Sequence, residues 1–283
     1  MAILRDKTEF YRPNVFLFTG TVPTFAAEEF VREHVLCHVY AGELRYTTAE
    51  EDVVVRAGET VLFRRDLLVK CEKRPVRGEA AFSIVYFVFE RSFTLTFALK
   101  HSVDTSTIDH RYGAVVPIQP TAPLQGVIES LHPYLRSNTF LSPRMVPVKL
   151  TEAAFALLEQ NAAFGSWLLN GPEEHKPDLT VFMERNFRFN VPVTKFAELS
   201  GRSLSTFQRD MRKTFGMNAQ AWLLKRRLET AYRLMTTKQV TPVDLYLDLG
   251  FENISHFSRA FKKQYGFSPS SLKRKQPAAL LPR

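Results

Sequence analysis

Hydrophobic and polar positions follow one rhythm over the front of the chain and another over the back. Residues 14–90 carry short runs rich in Val, Phe and Tyr: NVFLFT, HVLCHVYAG, ELRYTT, DVVVRAG, TVLFRR, LLVKCEK and AAFSIVYFVFE. Gly42, Gly58, Gly78 and charged residues punctuate them. Short strands at near-regular spacing predict a sandwich or small barrel. The run Lys73-Arg74-Pro75-Val76-Arg77 reads as a solvated hairpin loop. Segment 91–120 is not readable as strand or helix. From Pro123 the period changes. Leu124, Ile128, Leu131 and Leu135 recur at helical spacing and predict one amphipathic helix over 123–136. Residues 146–169 predict one or two more, with Leu150, Ala154, Leu157 and Leu158 on one side. NGPEEHKP (170–177) combines Gly, two prolines and charges and marks a boundary.

Behind that boundary nearly everything reads as helix, and a repeat appears. TFQRDMRKTFGMNA (206–219) and HFSRAFKKQYGFSP (256–269) align at an offset of 50 residues. Phe207, Met211 and Phe215 share one helical face, as do Phe257, Phe261 and Tyr265. The opposite face carries Thr206, Gln208, Arg209, Arg212 and Lys213 in the first copy. In the second it carries His256, Ser258, Arg259, Lys262 and Lys263. Gly216 and Gly266 suit the left-handed position that ends a helix. A short helical run and a Gly turn precede each copy: VTKFAELS (193–200) before Gly201, and VDLYLDL (243–249) before Gly250. Helix, tight turn, second helix with a basic outer face is the helix-turn-helix pattern. WLLKRRLETAYRLM (222–235) predicts a linker helix with Leu224, Leu228, Ala231 and Met235 inward.

Charge sharpens this picture. Residues 177–283 hold 19 Lys+Arg and 8 Asp+Glu, a net of +11, whereas the whole 283-residue chain has a net of +9. The entire basic excess therefore lies behind the boundary, which implies a polyanion partner there. A recognition helix fits the major groove, about 12 Å wide, with its outward side chains at base edges and flanking cations at phosphates. Arg209 and Arg259 can pair bidentately with guanine, and Gln208 can read adenine, although Ser205-x-x-Gln208 also fits a capping box. Ser205, Ser255, His256 and Ser258 are further groove candidates, with helix capping the alternative for the two earlier serines. Lys213, Lys262 and Lys263 suit phosphate.

These motifs resemble the AraC/XylS family of bacterial transcription regulators. The resemblance covers about 177–275 through GRSLSTFQRDMRKTFGMNAQAWLLKRRLETA (201–231) and DLYLDLGFENISHFSRAFKKQYGFSPSSLKR (244–274). It implies an all-α domain with two helix-turn-helix modules set in adjacent major grooves. Two departures stand out: Tyr246 occupies a place where a small residue such as Ala197 is usual, and Asn218-Ala219 replaces Ser-Pro. The front more weakly resembles the family's cupin-like sensor barrel with appended helices, through HVLCHVYAGELRYT and VRAGETVLFRRDLLVKCEK. The expected partners are double-stranded DNA, RNA polymerase, a small-molecule effector and a second copy of the chain. For that copy the α-helical face of Leu150, Ala154, Leu157 and Leu158 is the candidate interface; packing of the same face on the barrel is the alternative.

Enzymatic chemistry finds little support. A metal-binding cupin needs a close His-x-His, yet His34 and His38 would lie about 13 Å apart along a strand. They read as surface or core histidines, and neither a metal nor a cofactor is implied. No phosphate-binding Gly loop, HExxH or Gly-x-Ser-x-Gly occurs. Only Cys37 and Cys71 are present, which suits a reducing, cytoplasmic setting. The amino-terminal residues lack the apolar core of a secretory signal, and no apolar run approaches membrane-spanning length. The expected division is a regulatory domain over 1–170, a linker at 171–176, a DNA-binding domain over 177–275 and a tail at 276–283. A cupin-type enzyme with a helical accessory domain, or a nonspecific architectural DNA binder, are the competing classes.

Overall fold

The computed structural model describes residues 14–24, 27–103, 113–136, 141–161, 164, 168, 177–238 and 240–272. The linker 171–176 and the tail 276–283 lie outside the described residues, as does the Leu135 side chain. The chain divides into two compact units, Met1–Glu174 and His175–Arg283.

In the first unit the strands are β1 (Val15–Gly20), β2 (Ala27–Val31), β3 (His34–Ala41), β4 (Glu43–Thr47), β5 (Asp52–Arg56), β6 (Thr60–Phe63), β7 (Leu67–Arg74), β8 (Phe82–Phe89) and β9 (Val115–Ile118). They form two antiparallel sheets, ordered β1-β8-β3-β6-β9 and β2-β7-β4-β5. Residues alternate between faces of a strand, so the larger sheet can bury both. On β8, Ile84 packs into a core shared with the smaller sheet, alongside Leu44, Tyr46 and Val69. Val85 and Phe87 pack on the opposite side against helices. Those helices are α1 (Arg91–His101), α2 (Ala122–Glu129), α3 (His132–Arg136) and α4 (Met145–Gln160). This is the expected cupin-like, mostly-β architecture with appended helices.

Three expectations need correction. The single helix over 123–136 is two. Ladder bonding stops near Ser130, and Leu131 N–H turns back to Ile128 O at 3.1 Å. Pro133 has no N–H with which to extend the α2 ladder. Lys73 and Arg74 are not in a solvated loop; they are the last two residues of β7, and Lys73 is only 7% exposed, 4.8 Å from the Phe18 ring centroid and 3.7 Å from Glu29. The face proposed for dimerisation is core. Leu150, Ala154 and Leu157 are buried against the larger sheet, with Leu158 partly buried beside them. An interface must be exposed in the single chain, and hydrophobic burial has already consumed this one.

His34 and His38 are both buried on β3. Burial, and then the charges of Arg65 and Arg64, hold His34 well below its ordinary pKa. His38 donates to or accepts from Thr60 Oγ1 at 2.8 Å, and burial beside His132 lowers its pKa to about 4. Both are core histidines at neutral pH.

The second unit is all helix among its described residues: α5 (Leu179–Asn186), α6 (Val193–Leu199), α7 (Leu204–Phe215), α8 (Ala219–Thr237), α9 (Pro242–Leu245) and α10 (Ile254–Tyr265), then a 3-10 turn at Pro269–Ser271. One continuous core joins Phe196, Phe207, Met211, Trp222, Leu228, Phe257 and Phe261. The 19-residue α8 links the two helix-turn-helix modules.

Candidate nucleic-acid interface

The recognition helices α7 and α10 have 12 residues each. Their apolar stripes are core: Phe207, Met211, Phe257 and Phe261 are fully buried. Gly216 and Gly266, at φ +71° and +80°, end them in the left-handed conformation. Their N-caps are Ser203 and Asn253, whose side chains accept from Thr206 N–H at 3.3 Å and His256 N–H at 2.8 Å. Neither Ser205 nor Ser255 is therefore the N-cap, and both side chains are exposed.

The outer faces correspond position by position. Ser205, Arg209, Arg212 and Lys213 are exposed on α7, as are Ser255, Arg259, Lys262 and Lys263 on α10. Thr206 is half-buried where His256 is exposed, and Gln208 and Ser258 are both half-buried. Two of these side chains are held by their own unit. Gln208 Oε1 accepts from Ala219 N–H at 3.4 Å, so the capping box with Ser205 does not form. His256 packs edge-on against Phe251. Arg209 is 76% exposed, 3.8 Å from Asp210, and Arg259 Nε donates to Ser255 O at 3.3 Å. Such exposed contacts are weak and can be exchanged for a base or phosphate.

The modules differ below the recognition helix. In the first, α6 spans seven residues and Ala197 is buried. In the second, α9 spans only Pro242–Leu245 rather than the helical run expected to Gly250, and the chain continues as turn. Tyr246 replaces Ala197 in the hydrogen bonding: Arg202 N–H donates to Ala197 O, and Phe251 N–H donates to Tyr246 O. Its ring is half-buried beside the core. Asn218 caps α8 by accepting from Ala221 N–H at 2.9 Å, so the Asn-Ala departure supplies a helix start.

Sequence reading missed how much of the basic charge is used inside the unit. Arg202 donates to Asp210, Ser200 O and Pro177 O. Arg226 forks onto the Glu184 carboxylate at 2.9 Å. Arg227 donates to three backbone carbonyls. The linker-helix face is also rotated from expectation: Leu224 is 38% exposed, while Trp222, Leu223, Leu228, Ala231 and Met235 are buried. Arg227 falls between Leu223 and Ala231 at helical spacing, a signal that it points inward.

Residues 196–275 match the helix-turn-helix domain family, and residues 34–166 match the ExsA N-terminal regulatory domain family. The chain belongs to the AraC/XylS family of transcription regulators. It is a DNA-binding transcription regulator with an AraC-type helix-turn-helix region. Among AraC/XylS relatives, the transcriptional regulator ExsA of Pseudomonas aeruginosa is 23% identical over 254 residues, 88% of each chain. The virulence regulon transcriptional activator VirF of Yersinia enterocolitica is 32% identical over 118 residues, 41% of this chain and 42% of VirF. The transcriptional activator RhaS of Escherichia coli is 27% identical over 95 residues, 34% of each chain. Among solved structures, apo ToxT of Vibrio cholerae is 11% identical with a TM-score of 0.45, covering 92% of this chain and 97% of ToxT. An AraC-type regulator of Chromobacterium violaceum is 23% identical with a TM-score of 0.32, covering 36% and 94%. Among the described residues no helix is long and apolar enough to cross a membrane.

Proposed function

We propose that this chain is a cytoplasmic, non-enzymatic transcription activator that sets α7 and α10 into adjacent major grooves under control of its N-terminal unit. The observation that carries the reading is the matched pair of exposed polar faces on two helices with equal length and equivalent ends. Arg209 and Arg259 read bases, supported by Ser205, Thr206, Gln208, Ser255, His256 and Ser258. Arg212, Lys213, Lys262 and Lys263 hold phosphates and fix register. The names of VirF and RhaS support activation, for which RNA polymerase is the required partner. In this reading 1–170 regulates, 171–176 links, 177–275 binds DNA and 276–283 is a tail.

A cavity of about 390 Å³ in the first unit supports a small-molecule effector. Phe16, Phe30, Phe63 and Tyr86 wall it, and Lys73, paired with Glu29 at 3.7 Å, contributes a cation that an acidic ligand would take over from that carboxylate. That chemistry suits an apolar molecule with an acidic group. Pairing of two copies would raise affinity for a double site through effective concentration, by a surface other than the α4 core face.

Salt dependence of DNA binding tests the main reading. If the full chain neutralises six to eight phosphates, log K should fall against log[salt] with a slope of about −5 to −7. A slope near zero would contradict it.

A further inference from the structure

Arg227 sits midway along α8, five residues from Trp222 and five from Tyr232. Trp222 packs on Phe215 of the first recognition helix, with ring centroids 4.9 Å apart. Tyr232 packs on Tyr265 of the second, also at 4.9 Å. Those two anchor points are about 15 Å apart along the helix axis. The straight rod fixes that distance. It does not by itself fix how the second module is turned about the rod, because α9 and α10 follow a connection after Thr237.

The Arg227 guanidinium spans this freedom. Nε donates to Phe187 O, Nη2 to Phe189 O and Nη1 to Gly250 O, each at 2.8 Å. Phe187 and Phe189 lie in the segment leading into the first module. Gly250 is the turn of the second. The two backbones also touch directly: a Cβ on Gly250 would lie 2.5 Å from Arg188 O and 3.0 Å from Arg227 Cζ. A planar cation with donors in a fixed fork is suited to holding three carbonyls in one geometry, which a flexible ammonium is not.

We propose that Arg227 is a positioning residue that locks the second recognition helix in angle to the first, and so makes the protein discriminate the spacing of its two DNA half-sites. The inference rests on the two-module reading above. Neither recognition-helix stripe includes Arg227, so its loss removes the bridge and leaves Phe207, Met211, Phe257 and Phe261 in place.

The test uses the full chain with wild-type Arg227, Arg227→Lys and Arg227→Gln. Duplexes selected by the wild type from a random pool serve as probes, with versions carrying one inserted base pair between the half-sites and versions with one half-site scrambled. One inserted pair turns and shifts the second site, and the wild type should lose about 30-fold or more in affinity, on the scale of a mismatched contact or two. Arg227→Gln should lose less than about 5-fold on the same insertion, while binding the scrambled-half-site duplex within about 2-fold of wild type. Arg227→Lys should fall between. Circular dichroism melting establishes that each variant is folded. An Arg227→Gln protein that keeps the wild-type spacing penalty overturns the inference, whatever its absolute affinity. Should that variant fail to fold, Arg227→Lys decides: a folded Lys variant with the full wild-type penalty overturns the inference. A wild type indifferent both to insertion and to scrambling overturns the two-module reading, and this inference with it.

Discussion

The two helix-turn-helix modules are alike on their outward recognition faces and unlike in the supporting helices behind them. Recognition helices α7 and α10 share length, polar N-cap, apolar stripe and terminal Gly. Their supporting helices differ. α6 has seven residues behind an uncapped Pro192. α9 has four, secured by a capping box between Thr241 and Asp244. Ala197 is buried in the first module, whereas Tyr246 is half-buried in the second. The Gly250 turn abuts the segment before the first module. The comparison teaches that the outward face is held to one pattern while the inward framework adapts to a neighbour that only the interior of the unit presents.

The largest effect should come from the turn of the second module. Gly250→Ala puts a Cβ at φ +78° and 2.5 Å from a backbone oxygen. The left-handed conformation alone costs about 1–2 kcal/mol, and the clash adds to it, so a loss of about 3 kcal/mol or more is expected in denaturant unfolding. Gly266→Ala has the same backbone strain and open space around the Cβ, and should lose only about 1–2 kcal/mol. Equal losses would remove the asymmetry argued here.

Smaller effects should sharpen the likeness. Ser203→Ala and Asn253→Ala each remove one N-cap acceptor and should each cost about 1 kcal/mol, measured by thermal or denaturant unfolding. Near-equal values would support equivalent helix starts. A silent Ser203→Ala would show that Asn253 alone matters and that the first helix is nucleated otherwise.

Much of the second unit was legible from sequence because its signals reinforce one another: a repeat, two strongly amphipathic helices, and Gly at both helix ends. What escaped were residues whose type masks their position. Arg227 lies on a buried stripe yet counts as surface charge by composition. Tyr246 signalled a departure but not that α9 would stop at Leu245. In the first unit β2 was missed because AEEFV carries two glutamates. It is an edge strand in which Glu28 pairs with Lys70 across the ladder at 3.3 Å. β9 was missed because Pro117 interrupts it, which an edge position permits. α1 buries Thr94 and Phe97 while Leu95 and Leu99 face solvent, so its apolar pattern does not report its packing. The α4 stripe was seen correctly as apolar, but a stripe alone does not say whether a sheet of the same chain or a second chain covers it.

The most direct test of the account is binding of Arg209→Ala and Arg259→Ala to a panel of duplexes substituted one base pair at a time. Each variant should lose about 1–3 kcal/mol on the preferred duplex and lose its preference at its own base position. The two positions should lie about 10 bp apart, one helical turn, as two modules on one DNA face require. Uniform weakening across every duplex, with all base preferences kept, would mean that the arginines touch only phosphate and would contradict the central claim.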